Sequence, residues 1–264
     1  MRVRTLSGIE LEWDEIGKGP ALLLIAGTAS ERSIWSAVRP ELAKSFRTIA
    51  FDPRDAGQST IAVAPYGLVE LAEDARCVLD AAGATAAHVV GHSLGGMVAQ
   101  QLAAQHGARV SRLSLVCTWL APEQYLENFF TLLRDLSRAI DDDALRLRLI
   151  DFVALGPRML ERLSLTEIVA EELAAGPAQP KEAAARQWNL DRSIDATEIA
   201  PQIRCPTQVM WGTEDRIILP AQAQALLSRI SGATETRLEG VGHCPMLEEP
   251  DTFVAAIRAF AGPN

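Results

Sequence analysis

The sequence predicts an α/β protein: a mostly parallel central sheet flanked by helices, with an inserted helical cap. Three observations carry this expectation. Short apolar runs alternate with helical patterns along 264 residues, as βα units do. One interval between two such runs is far too long for a crossover connection. Residues 89 to 97 read Val-Val-Gly-His-Ser-Leu-Gly-Gly-Met at a strand-to-helix junction.

Taken in order, Ile9 to Trp13 alternates apolar and acidic residues, as a half-exposed antiparallel strand does, and is expected to open the sheet. Ala21 to Ile25, Thr48 to Phe51, Ala86 to Val90, Leu113 to Cys117, Gln208 to Trp211 and Thr234 to Leu238 read as further strands. Val98 to Ala104 and Phe253 to Phe260 keep helical spacing. Between the strands ending near Cys117 and beginning near Thr207 lie about 85 residues, against roughly 10 to 15 in an ordinary crossover. Leu126, Phe129, Phe130, Leu133 and Leu136 recur at helical spacing there. So do Leu145, Leu149, Ile150 and Val153, with Asp141 to Asp143 as the helix start. A single domain is expected, with a core of residues 1–120 and 204–264 and a helical cap over 121–203, because both ends of the insertion return to one sheet. A separate small helical domain is the alternative.

Composition excludes several classes. The formal charge is −9, from 34 acidic and 25 basic residues with no cationic cluster, which argues against a nucleic-acid partner. No apolar stretch approaches the ~18 residues that cross a bilayer, so no membrane partner is expected. The N-terminus carries Glu10, Glu12, Asp14 and Glu15 where a secretory signal needs an apolar core. A cytoplasmic location is expected. Cys77, Cys117, Cys205 and Cys244 stand far apart without paired spacing, which predicts neither a zinc site nor a disulfide framework. No metal and no organic cofactor are expected.

The 89 to 97 stretch places Ser93 between Gly91 and Gly95, after a strand and before a helix. That context favours a nucleophile elbow, in which the serine hydroxyl stands clear of the backbone, over an ordinary glycine turn. A serine needs a base to take its proton and a carboxylate to orient that base. Of the four histidines, His88 lies inside a strand and His106 ends a helix. His92 adjoins Ser93 and points elsewhere at a sharp turn, so it is expected to pack or hydrogen-bond beneath it. His243, in Gly-Val-Gly-His-Cys-Pro-Met after the last strand, is the predicted base, although a lone loop histidine is more often surface decoration. Asp215, in Trp-Gly-Thr-Glu-Asp-Arg, is the predicted orienting acid. Glu214 is its rival, and a solvated turn residue or helix cap is the bland reading. Backbone amides must also meet the charge that develops on a carbonyl oxygen. Leu94 supplies one. Thr28, in Ala26-Gly27-Thr28-Ala29, is the candidate for the second, although the same residues suit a plain strand-ending turn.

Together these residues resemble the α/β-hydrolase superfamily over essentially the whole chain. The resemblance covers the Ala26-Gly27 loop, Asp52-Pro-Arg-Asp-Ala-Gly57, the Gly91 to Gly95 elbow, Gly212 to Asp215 and Gly242-His243. It implies an α/β-hydrolase fold and a triad in the chain order Ser93, Asp215, His243. Gly-His-Ser-Leu-Gly-Gly and Gly-His-Cys-Pro-Met-Leu-Glu-Glu-Pro are similar to esterases and enol-lactone hydrolases. Asp52 to Thr60, with Pro65-Tyr66-Gly67 and Glu70-Leu71-Ala72, also resembles methylesterases acting on polyketide antibiotics. The chain departs from many relatives in having Ala26-Gly27 where they have histidine-glycine, and Asp55 where they have glycine. Asp55 reads as a turn aspartate or a salt-bridge partner of Arg54. Haloalkane dehalogenases and epoxide hydrolases carry aspartate at the elbow, so Ser93 points away from both.

The resemblance implies a serine hydrolase that cleaves a small-molecule carboxylic ester or lactone through an acyl-enzyme. The same fold and triad also serve cofactor-free perhydrolases of haloperoxidase type, carbon-carbon bond hydrolases and non-catalytic ligand receptors. Specificity is assigned to the cap, with Trp119 and Trp188 as candidate pocket residues, although packing alone accounts for most of its apolar side chains. The sequence leaves a homo-oligomer open.

Overall fold

A computed structural model describes residues 1–262. Eight strands form one sheet: β1 (Arg2–Arg4), β2 (Glu10–Ile16), β3 (Ala21–Ile25), β4 (Arg47–Phe51), β5 (Ala87–His92), β6 (Val110–Val116), β7 (Thr207–Gly212) and β8 (Thr234–Leu238). Their order is β1-β2-β4-β3-β5-β6-β7-β8. β1 and β2 run antiparallel at one end, and from β4 onward every pairing is parallel. This is the expected α/β architecture.

The helices are α1 (Arg39–Leu42), α2 (Leu68–Ala81), α3 (Leu94–Gln105), α4 (Gln124–Ala139), α5 (Asp143–Ala154), α6 (Pro157–Leu160), α7 (Leu165–Ala175), α8 (Lys181–Asp191), α9 (Pro220–Arg229), α10 (Pro245–Glu248) and α11 (Pro250–Ala261). β5 and β7 are buried along their whole lengths, and β3 and β4 at four of five positions. Helices on both faces demand this, and it is why these strands read as unbroken apolar runs. Leu22, Leu23 and Leu24 are each 0% exposed, a burial that contributes roughly 1.5 to 3 kcal/mol per side chain.

One expectation needs correcting. The stretch from Ile9 does not open the sheet, because β1 lies outside β2 and takes the edge. β1 is only Arg-Val-Arg, too short and too charged to show a two-residue apolar period.

Five helices, α4 to α8, fill the interval between β6 and β7. The aspartate run does start a helix: the Asp142 carboxylate accepts from the Leu145 amide at 3.0 Å, a cap worth about 1 kcal/mol. α4 packs on α8 and α5 on α7. This layer reaches the loops that follow β3, β4 and β8, the last through the His243 amide on the Ala154 carbonyl, so it covers the carboxyl ends of the parallel strands. No helix among the described residues is long and apolar enough to cross a membrane.

Candidate active site

Four non-glycine residues have positive φ among the described residues: Ala29 (57°), Asp55 (72°), Ser93 (53°) and Cys117 (46°). Each stands just past the carboxyl end of one of the neighbouring strands β3, β4, β5 and β6. Such conformations cost about 1 to 3 kcal/mol each and persist only where the surroundings impose them. The strain therefore marks one edge of the sheet.

At Ser93 the surroundings are visible. Its amide donates to the Val116 carbonyl at 2.9 Å, and its carbonyl accepts from the Gly96 amide at 2.8 Å and the Thr118 hydroxyl at 2.7 Å. The side chain makes no capping bond to α3, so the hydroxyl is not consumed by the turn. A Cβ on Gly91 would run into the Gly95 carbonyl, and one on Gly95 into the Ile25 carbonyl. A Cβ on Gly27 would lie 2.9 Å from the Ser93 Cβ. The loop after β3 thus passes directly against the serine. Among the described residues, no protein acceptor pairs with the amides of Thr28 or Leu94, which leaves both donors free.

The structure brings Asp215 and His243 together. Asp215 follows β7, His243 follows β8, and the His243 Nδ1 donates to Asp215 Oδ2 at 2.8 Å. Asp215 Oδ1 accepts from the amides of Ile217 and Ile218, both at 2.9 Å. Glu214, the rival acid, is exposed. With the proton of the imidazole on Nδ1, Nε2 is left as the basic nitrogen. The His243 amide is anchored to the Ala154 carbonyl at 2.7 Å.

Sequence reading overlooked Glu248. Its carboxylate accepts from Gly242 N at 2.8 Å, Cys244 N at 3.1 Å and Gly156 N at 3.0 Å. It therefore grips both neighbours of His243 and ties them to the segment between α5 and α6. Its place in the Leu-Glu-Glu-Pro run was a visible signal, but a helix-end acid reads as solvated. Thr118, which pins the elbow carbonyl, gave no signal at all.

The other histidines have structural partners. His92 Nε2 donates to the His243 carbonyl at 2.8 Å, and the two rings lie 4.8 Å apart at a 54° tilt. Burial pushes the His92 imidazole down to about 3, so it stays neutral beneath the turn. His88 hydrogen-bonds Ser114 at 2.9 Å and meets Phe260 edge-on; burial likewise lowers it to about 3. His106 pairs with Glu73 at 2.5 Å on the surface.

Asp55 is paired with the cap, not with Arg54. Its carboxylate accepts from Arg186 of α8 at 2.8 Å and from the Tyr66 hydroxyl at 2.8 Å. Arg54 instead makes two bonds to buried Asp74, at 2.6 and 2.7 Å. Adjacency in sequence was misleading because Asp55, at positive φ, turns toward α8. Trp119 and Trp188 are 0% and 4% exposed and both pack against Phe130 of α4, with ring centroids 5.2 and 6.0 Å away.

Cys117, Asp215 and His243 each offer a donor atom within 4.8 Å of one another. Burial raises the Cys117 thiol well above its usual value and Asp215 already occupies the His243 Nδ1. A thiol held protonated is a poor metal ligand, so this trio does not fit a resident ion.

Ser93, Asp215 and His243 are 6, 4 and 5% exposed, closed beneath the helices between β6 and β7. A cavity of about 10 Å³, lined by Ala26, Leu94, Val98 and Gln187 among others, lies beside the elbow.

A mostly parallel sheet, a serine on a strained strand-to-helix turn, and an acid–histidine pair on the loops after the last two strands define a hydrolase class. The chain belongs to the alpha/beta hydrolase fold family, whose model matches residues 20–250. It is 29% identical over 246 residues to the pyrrolizixenacetamide deacetylase of Xenorhabdus hominickii, covering 92% of this chain and 91% of that protein. A hydrolase structure from Pseudomonas aeruginosa PA01 superposes with a TM-score of 0.89 at 26% identity, covering 100% of this chain and 98% of the other. The enol-lactonase structure from Burkholderia xenovorans LB400 shares the fold at a TM-score of 0.89 and 24% identity, with 100% of each chain covered.

Proposed function

We propose that this protein is a serine hydrolase of carboxylic esters or lactones. The observation that carries the reading is the Asp215–His243 pair, 2.8 Å apart, on the same sheet edge as the elbow serine. The Ser93 hydroxyl attacks the carbonyl carbon while His243 Nε2 takes its proton, and Asp215 stabilises the imidazolium. The amides of Leu94 and Thr28 receive the negative oxygen. Collapse breaks the bond to the leaving oxygen, which takes the proton from His243, and an acyl-enzyme remains on Ser93. Water, deprotonated by His243, then releases the acid and restores the serine.

Trp119 and Trp188 are assigned to an aromatic pocket wall, reached when the cap helices part. A cofactor-free enzyme acting on small molecules in the cytoplasm completes the reading; the acidic composition argues against a nucleic-acid partner, and the donor set around His243 suits no resident ion. The test is turnover of short p-nitrophenyl esters, with covalent labelling of Ser93 by a fluorophosphonate. Ser93→Ala is expected to lose both; activity retained in that variant defeats the assignment. Peracid formed from acetate and peroxide without ester turnover would replace it with a perhydrolase.

A further inference from the structure

The loop after β3 is not held by the sheet alone. Thr28 Oγ1 donates to Asp191 Oδ2 at 2.6 Å, and the amide of the next residue, Ala29, donates to Gln187 Oε1 at 3.0 Å. Gln187 and Asp191 lie one turn apart on α8, so they share a face of that helix. Two consecutive residues of the loop are thus clamped by two consecutive turns of one cap helix. Ala29 has φ 57°, a strained backbone that this clamp helps to impose.

Asp191 is the unexpected member. It is 0% exposed, no cation touches it, and its Oδ1 has no partner among the described residues. Burial pushes its carboxyl up to about 8, so near neutral pH it is a protonated, uncharged group. A bare buried carboxyl is costly to keep, and one that only packed α8 against the sheet would be better replaced by an apolar side chain. Its side chain's one hydrogen bond among the described residues goes to the residue whose amide is assigned to the oxyanion. The neutral form also places no negative charge beside an oxygen that becomes negative.

We propose that Asp191 is a positioning residue: by holding the Thr28 side chain, it aims the Thr28 amide at the carbonyl oxygen, and does so only while α8 is seated. This rests on the serine-hydrolase reading above. Oxyanion donors would then be complete in the closed protein and incomplete in the open one.

The test compares wild type with Asp191→Ala, Asp191→Asn, Thr28→Val and the double variant Asp191→Ala/Thr28→Val, using p-nitrophenyl butyrate at pH 7 and checking each fold by circular dichroism. Asp191→Ala is expected to lower kcat about tenfold or more while KM moves less than about threefold, since displaced oxyanion donors act on the transition state. Asp191→Asn keeps an uncharged acceptor for the Thr28 hydroxyl and is expected to retain most of kcat. Thr28→Val leaves the amide but removes the tether, so its loss should match that of Asp191→Ala. The double variant should be no worse than the poorer single, because both substitutions break the same link. Wild-type kcat in a folded Asp191→Ala, or losses that multiply in the double variant, would overturn the inference while leaving the nucleophile assignment standing. Absence of Ser93-dependent turnover in the wild type would instead remove both.

Discussion

Buried acids in the sheet core and in the cap are treated differently. Around the sheet, Asp215 meets three N–H donors, Glu248 meets three amides, and Asp74 meets a guanidinium. In the cap, Asp191 meets one hydroxyl and Asp151 keeps an oxygen without a partner. Burial raises Asp151 to about 7 and Asp191 to about 8. Burial raises Asp74 and Glu248 as well, but there a guanidinium or three amides pull the other way, whereas in the cap Asp191 has one hydroxyl to oppose it and Asp151 has no donor among the described residues.

The largest test of this contrast is at the core pair. Asp215→Asn removes the carboxylate that fixes the His243 tautomer and is expected to cost on the order of 10⁴ in kcat, read with p-nitrophenyl butyrate. Arg54→Met strips Asp74 of its partner inside the protein and should lower unfolding stability by about 3 to 5 kcal/mol in urea titrations. Asp74 is itself raised by burial against the opposing pull of Arg54, so the unpaired acid would have to protonate.

The cap acids should respond with the opposite sign. Their native values lie above the ordinary carboxylate range. The folded chain therefore binds protons that the unfolded chain has lost, and stability falls as pH rises from about 4 toward 7 to 8. Asp151→Asn removes the Asp151 share of that dependence and is expected to raise stability at pH 8 on the order of 1 to 3 kcal/mol, with little change at pH 4. Thermal melts at the two values check it. A stabilising core variant, or a destabilising cap variant, would break the contrast. Smallest of all, Arg138→Gln in the exposed pair with Glu182, whose side chains are 49% and 61% exposed, should leave the melting temperature unchanged.

What sequence made legible follows from range. The apolar run Ala21 to Ile25 matches β3 to the residue, because a buried parallel strand is an uninterrupted local signal; β8 also keeps its expected bounds, although Leu238 is its one buried residue. The elbow was legible for the same reason, since strand, turn and helix are contiguous. α8 was not read as a helix: its Lys-Glu-Ala-Ala-Ala start favours one, but its large residues give little periodic contrast. The partners of Thr28 and Asp55 lie 163 and 131 residues away on that helix. Such pairings depend on how the cap docks, and no local pattern encodes docking.

The four strained residues at consecutive strand ends carry an evolutionary consequence. Glycine at Ala29 or Cys117 would relax the backbone there, so mutation screened only for heat resistance should drift toward it. Screened instead for turnover, the same positions should resist that drift. Directed evolution under the two pressures would diverge first along this single row of the molecule.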